Sequence, residues 1–140
     1  MLLVATGSEV QFALGARKLL ADDGITARVV SMPCRERFAV QDLSYQDEVL
    51  QPGVRARVSV EDAVGQGWRD VVGDGGRIVS LKHVGASTHH WRPFDEFGIT
   101  ATAVAAAAHD CLRDAVTMVR PGGARQTSAP TTGGTGDRPA

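Results

Sequence analysis

Apolar positions follow two rhythms along this chain. Leu2-Leu3-Val4-Ala5 is a short continuous apolar run, the pattern of a strand covered on both faces. Thr6-Gly7 turns the chain, and Ser8 with Gln11 three residues on has the capping-box pattern. Val10, Ala13, Leu14, Ala16 and Leu20 then recur at helical spacing as far as Gly24, a natural helix stop. Ile25 to Ser31 is rich in β-branched residues and predicts a second strand, ended by Pro33. From Arg35 to Leu50 the apolar residues Phe38, Val40, Leu43, Val49 and Leu50 stand in a polar background, as in short helical turns.

Val54 to Glu61 predicts a third strand, with Val54, Ala56, Val58 and Val60 on one face. Trp68 to Val72 reads as a short helix, Gly73 to Gly76 as a turn, and Arg77 to Leu81 as a fourth strand. Gly85-Ala86-Ser87 leads to a short helix from Trp91 to Phe97, which Gly98 stops. From Thr100, an N-cap, a long helix runs to about Val119, with Val104, Ala107, Ala108, Leu112 and Val116 on its apolar face. Strands alternating with helices imply parallel pairing and right-handed crossovers, so the expected class is α/β with three layers, α/β/α. There is no internal repeat.

The patterning stops after Arg120. Residues 121–140 hold no Val, Ile, Leu, Met or aromatic residue. Such a segment cannot bury enough apolar surface to offset an ordering entropy of about 1–2 kcal/mol per residue. The expected organisation is one folding unit over residues 1–120 and a disordered tail over 121–140. Lys plus Arg number 15 and Asp plus Glu 16, a net charge of −1, which argues against a nucleic-acid partner. No apolar stretch approaches the roughly 20 residues that span a bilayer, so no membrane partner is expected. The first residues carry no positive leader before Gly7-Ser8-Glu9. Cys34 and Cys111 have no metal-type spacing. Both features fit a cytoplasmic protein.

Several residues could carry chemistry. Gly73-Asp74-Gly75 has the opening of a magnesium–thiamin-diphosphate motif, but that motif needs a downstream asparagine and the chain contains none; a tight turn is the better reading. His89 and His90 are adjacent, so on a helix they diverge by about 100° and cannot share a metal as an i, i+4 pair could. His83 would have to approach from another loop, and no metal site is expected. Cys34 stands at a strand end, where His83 is a conceivable base, yet an inert thiol is favoured. Ser8 opens a helix, and helix N-termini can bind anions; Glu9 and the lack of a Gly-rich run argue against a phosphate cradle. Ala105 to Ala108 reads as a close helix–sheet contact, and Arg35-Glu36-Arg37 as a solvated face.

Taken together, ATGSEV (Ala5 to Val10), ARVVSMPC (Ala27 to Cys34), Gln41-Asp42, Tyr45, Val49-Leu50, ARVSVE (Ala56 to Glu61), Gly67-Trp68, Gly85-Ala86-Ser87 and EFGIT (Glu96 to Thr100) resemble the C-terminal domain of transketolase, in order and spacing. The resemblance covers roughly residues 2–115. It departs at Glu61-Asp62-Ala63, where Glu-Ala-Gly is usual, at Thr88-His89 after Ser87, and at Arg35, where a bulky apolar residue is common. The resemblance implies a family of enzymes that use thiamin diphosphate and magnesium to move two-carbon ketol units between sugar phosphates. It implies that cofactor and substrate contacts belong to two preceding domains, so this chain alone is expected to bind no cofactor and to hold no catalytic residue. Its expected partners are those N-terminal and middle domains, or a second copy.

The family's sheet has five strands, the first antiparallel and preceding ATGSEV. The chain is therefore expected to show about four parallel strands in order 2-1-3-4, with the second strand an uncovered edge. In that order the crevice opens where connections leave strands one and three in opposite directions, which places Thr6, Gly7, Ser8, Glu61 and Asp62 at its mouth. Three functions follow: a non-catalytic transketolase C-terminal domain, as fragment or split-enzyme component; a small-ligand or regulatory binding module using that crevice; or an independent enzyme using Cys34.

Overall fold

The computed structural model describes residues 1–62, 67–80 and 98–118. Strands β1 (Leu2–Ala5), β2 (Arg28–Ser31), β3 (Arg57–Glu61) and β4 (Arg77–Ser80) form one sheet in the order β2-β1-β3-β4. All pairs are parallel, with Leu3 in register with Val29 and Val58, and Val60 with Val79. This is the predicted order. β1 lies inside the sheet, and its four residues are buried, which explains why it reads as a continuous apolar run and not an alternating one.

Alternation along the strands divides the core into two layers. Leu3, Ala5, Val58 and Val60 face α1 (Val10–Asp22) and α5 (Ala101–Met118), meeting Ala13, Ala16, Leu20, Val104, Ala105, Ala108 and Cys111. Leu2, Val4, Val30 and Met32 face the other way. There they meet Trp68 and Val71 of α4 (Arg69–Val72) and its cap, Phe38 of α2 (Arg35–Ala39), and Val49 and Leu50 of α3 (Leu43–Leu50). Small side chains let α1 and α5 approach closely: a Cβ at Gly15 would lie 2.8 Å from the Ala101 Cβ. Ala105 and Ala108 are buried in the same layer, the close contact expected of the alanine run.

Element ends follow local hydrogen bonding. Gly24, at φ +76°, closes α1: its N–H reaches the Ala21 carbonyl at 3.0 Å and the Ile25 N–H the Leu20 carbonyl at 2.8 Å, the paired bonds of a Schellman motif. That use of Ile25 is why the second strand starts at Arg28 and not at Ile25. The Thr100 Oγ1 accepts the Ala103 N–H at 3.1 Å, as an N-cap should.

Other expectations are corrected. Ser8 and Gln11 make no capping box; Gly7–Glu9 is a 3-10 turn without a side-chain cap, and the Ser8 hydroxyl turns to Glu9 instead. Val54 does not share a strand face with Val58 and Val60. Its N–H bonds the Gln51 carbonyl in a turn at 2.8 Å, and its side chain packs in the opposite layer. Val116 is 72% exposed and off the core face of α5. Arg35 is more than a solvated residue: its guanidinium lies 5.3 Å above the buried Trp68 ring. Gly67, at φ +87°, runs so close beneath that guanidinium that any Cβ would collide with it. The predicted Trp91–Phe97 helix, Leu81, Gly85 to Ser87, Val119 and the 121–140 tail lie outside the described residues. No helix among the described residues is long and apolar enough to cross a membrane.

Candidate functional site

The topological switch point, where a crevice is expected, lies at the C-terminal ends of β1 and β3, because consecutive connections leave these neighbouring strands in opposite directions. β1 delivers Thr6, with the 3-10 turn carrying Gly7, Ser8 and Glu9. β3 ends at Glu61, followed by Asp62. The Thr6 hydroxyl donates to Glu61 Oε2 at 2.9 Å, with Glu9 Oε2 at 3.3 Å, and the Ser8 hydroxyl donates to Glu9 Oε1 at 2.9 Å. Thr6 and Glu61 are thus joined directly, and Ser8 joins them through Glu9. Gly7 is exposed at φ +43°, with room for a Cβ 3.7 Å from Glu9 Oε2, so it shapes the turn.

Glu9 is the residue that sequence reasoning set aside. It is only 3% exposed, and one carboxylate oxygen from each of Glu9, Glu61 and Asp62 lies within 4.8 Å of the others. Its position in the first turn after a central parallel strand is the signal that could have placed it. Burial first, then the Glu9 charge, then a hydrogen bond with Glu61, push the Asp62 carboxyl above its ordinary range; its own backbone bond opposes them. The site can attract cations and accept hydrogen bonds from hydroxyls. Three carboxylates at its mouth repel phosphate.

The other candidates are placed apart from this crevice. Gly73-Asp74-Gly75 is the turn between α4 and β4, and the Gly76 N–H reaches the Gly73 carbonyl at 3.1 Å. The Arg69 guanidinium donates to the carbonyls of Gly73, Asp74 and Gly76 at 3.1–3.3 Å. Cys34 Sγ donates to Glu36 Oε2 at 3.5 Å. His109 Nε2 lies 3.0 Å from Asp23 Oδ2, tying α5 to the end of α1. His83, His89 and His90 lie outside the described residues.

A cavity of about 650 Å³ opens near the opposite end of the sheet, between Pro52-Gly53, Gly73 to Gly75 and Cys111. Of the two arginines that line it, Arg55 and Arg57, the second is committed: Arg57 donates to the Val54 and Val71 carbonyls at 2.8 and 2.9 Å, and burial lowers its pKa. Burial pushes the Cys111 thiol up, and it donates to the Gly75 carbonyl at 3.3 Å. These groups close the base of the fold and offer no free nucleophile.

Residues 1–100 match the family model described as the transketolase-like TK C-terminal domain. The transketolase of Mycobacterium tuberculosis is 56% identical over 112 residues, which are 80% of this chain and 16% of that protein. The solved transketolase of Leishmania mexicana superposes with a TM-score of 0.68 at 37% identity, covering 80% of this chain and 16% of that one. A split-gene transketolase, described as an inactive beta4 tetramer, shares the fold at 23% identity and a TM-score of 0.52, covering 80% of this chain and 38% of that chain. The chain thus spans about one sixth of the length of the curated transketolases it matches. The family-model match over residues 1–100, joined to the 56% identity over 80% of the chain and to the shared fold, places this chain in the transketolase C-terminal domain family.

Proposed function

We propose that this chain is a non-catalytic component of a transketolase, as a fragment or as one chain of a split enzyme, and that it works by assembling with N-terminal and middle domains carried elsewhere. The observation that carries this reading is the confinement of the match to 16–18% of the curated relatives. The Gly73-Asp74-Gly75 turn, engaged by Arg69, supports it. So does the acidic crevice, which is unsuited to sugar phosphates. In this reading thiamin diphosphate and magnesium are held by the other domains, and the assembly is cytoplasmic. Residues 1–120 form the assembling unit and 121–140 a disordered tail. The split-gene fold neighbour is a precedent for dividing such an enzyme between chains.

The test is complementation. A transketolase truncated before its C-terminal domain is assayed for ketol transfer with and without this chain. Activity that appears or rises only on mixing is the expected result. Transfer by this chain unaided would overturn the proposal.

A second reading rests on the convergence of Thr6, Glu61 and Asp62, which would make the crevice a small-ligand or regulatory site for a polyol or cation. A thermal-shift screen should then show stabilisation by such ligands and none by sugar phosphates or nucleotides. No shift with any of them at millimolar concentration would remove this reading.

A further inference from the structure

Four charged side chains line the cavity between the start of β3, the α4–β4 turn and the second half of α5: Arg55, Arg57, Asp74 and Asp114. Asp114 pairs with Arg77, so its charge is met from outside the cavity. Arg57 is half-buried and gives its N–H groups to the carbonyls of Val54, Val71 and Gln51. Carbonyls satisfy its donors without cancelling its charge. Its pKa is lowered by burial, and no neighbouring carboxylate among the described residues opposes that shift. Arg55 is exposed at the mouth and pairs with no described residue. Among the described residues two positive charges therefore stand against one unmatched negative charge, the exposed Asp74.

The rest of the wall is largely apolar, with Ala56, Val72 and Ala115 facing the space. Cys111 adds no negative charge there, because burial pushes its thiol up and its S–H is given to the Gly75 carbonyl at 3.3 Å. The volume of about 650 Å³ falls within the range of roughly 300–1,000 Å³ usual for small-molecule sites. An apolar wall with a surplus of one positive charge selects the chemistry of its occupant.

We infer that this cavity takes a small organic carboxylate. Its apolar body lies against Ala56, Val72 and Ala115, and its carboxylate meets the Arg55 guanidinium, whose paired N–H groups match the two carboxylate oxygens. The charge of Arg57, unopposed by a carboxylate, adds attraction from the cavity wall. A single negative charge balances the surplus. A second one would face Asp74 and Asp114, so inorganic phosphate is disfavoured, and a neutral ligand forgoes the arginines. The cavity is lined by none of Thr6, Ser8, Glu61 and Asp62 and carries the opposite sign of charge to the acidic cluster at the switch point. The inference does not depend on the assignment to a transketolase assembly.

Titration of the full ¹⁵N-labelled chain with hexanoate, hexan-1-ol and inorganic phosphate, at constant ionic strength, tests it. Hexanoate is expected to give saturable amide shifts at Ala56, Gly75 and Ala115 with a Kd of about 1 mM. Hexan-1-ol should bind the same residues about tenfold more weakly, and phosphate should give no saturable shifts there. Arg55→Gln, at an exposed position, should weaken hexanoate about tenfold and leave hexan-1-ol unchanged, a split that a general loss of structure does not produce. Four results overturn the inference: no saturable shifts with hexanoate up to about 50 mM, hexan-1-ol binding as tightly as hexanoate, phosphate binding as tightly as hexanoate, or an Arg55→Gln chain that binds hexanoate as before. Failure here leaves the complementation assay unaffected, and failure of complementation leaves this site intact.

Discussion

Ser59 carries a hydroxyl into the middle of the sheet, in register with Val4 and Ile78. It is 0% exposed, and among the described residues its Oγ has no hydrogen-bond partner. An unmet hydroxyl loses its hydration on folding without compensation, so Ser59→Ala is expected to raise stability by up to about 1 kcal/mol, read as a higher urea midpoint. A loss of similar size would show a partner for Ser59. Arg35→Ala should cost about 1 kcal/mol through the lost contact with the Trp68 ring, measured in the same way. Asp62 gives a pH signature. Its folded pKa lies above the ordinary 3.8, so the folded state holds this proton more tightly than the unfolded chain. The associated stability is full below that ordinary value and is lost as pH rises through the raised one. Asp62→Asn is expected to remove this decline in thermal melts as pH rises above the ordinary carboxylate value, whereas parallel profiles would contradict it. Thr6, Ser8 and Glu61 were legible as residues of the switch point because strand order alone sets them at the ends of β1 and β3. Glu9 was not, since its burial depends on how the 3-10 turn folds back toward β3. Nor was the Arg35–Trp68 contact, which joins residues 33 positions apart.

Helices α1 and α5 show packing overriding intrinsic preference. In an exposed helix Gly15→Ala would gain about 1 kcal/mol of helix propensity. Here the new Cβ would meet the Ala101 Cβ at 2.8 Å, so the substitution is expected to lower the urea midpoint, and a rise would show that the helices can separate freely. Thr100→Ala should cost about 1 kcal/mol by leaving the Ala103 N–H uncapped. The ends of α1 and α5 were readable because Gly24 and Thr100 act through their own backbone and side chain. Ser8 misled because its hydroxyl found the Glu9 carboxylate before any helix amide. The first residues predicted for the second and third strands were too early for a related reason. Ile25 and Val54 spend their N–H groups on the Leu20 and Gln51 carbonyls, and such local bonds compete with a ladder that apolar patterning cannot see.

The whole molecule is a parallel sheet with helices on both faces, and alternation of strands and helices was enough to give its layers. The order β2-β1-β3-β4 came from the family resemblance, since several orders satisfy the same periodicity. What the arrangement lacks is as informative as its fold. The sequence has no asparagine, its Gly73 and Asp74 carbonyls accept from Arg69, and Glu9, Glu61 and Asp62 gather at one end of the sheet. The central claim is that this chain carries the fold and assembly surfaces of a transketolase C-terminal domain without its coenzyme chemistry. The most direct measurement is a calorimetric titration of the purified chain with thiamin diphosphate and magnesium. The account predicts no saturable heat, while stoichiometric binding by the unaided chain would contradict it.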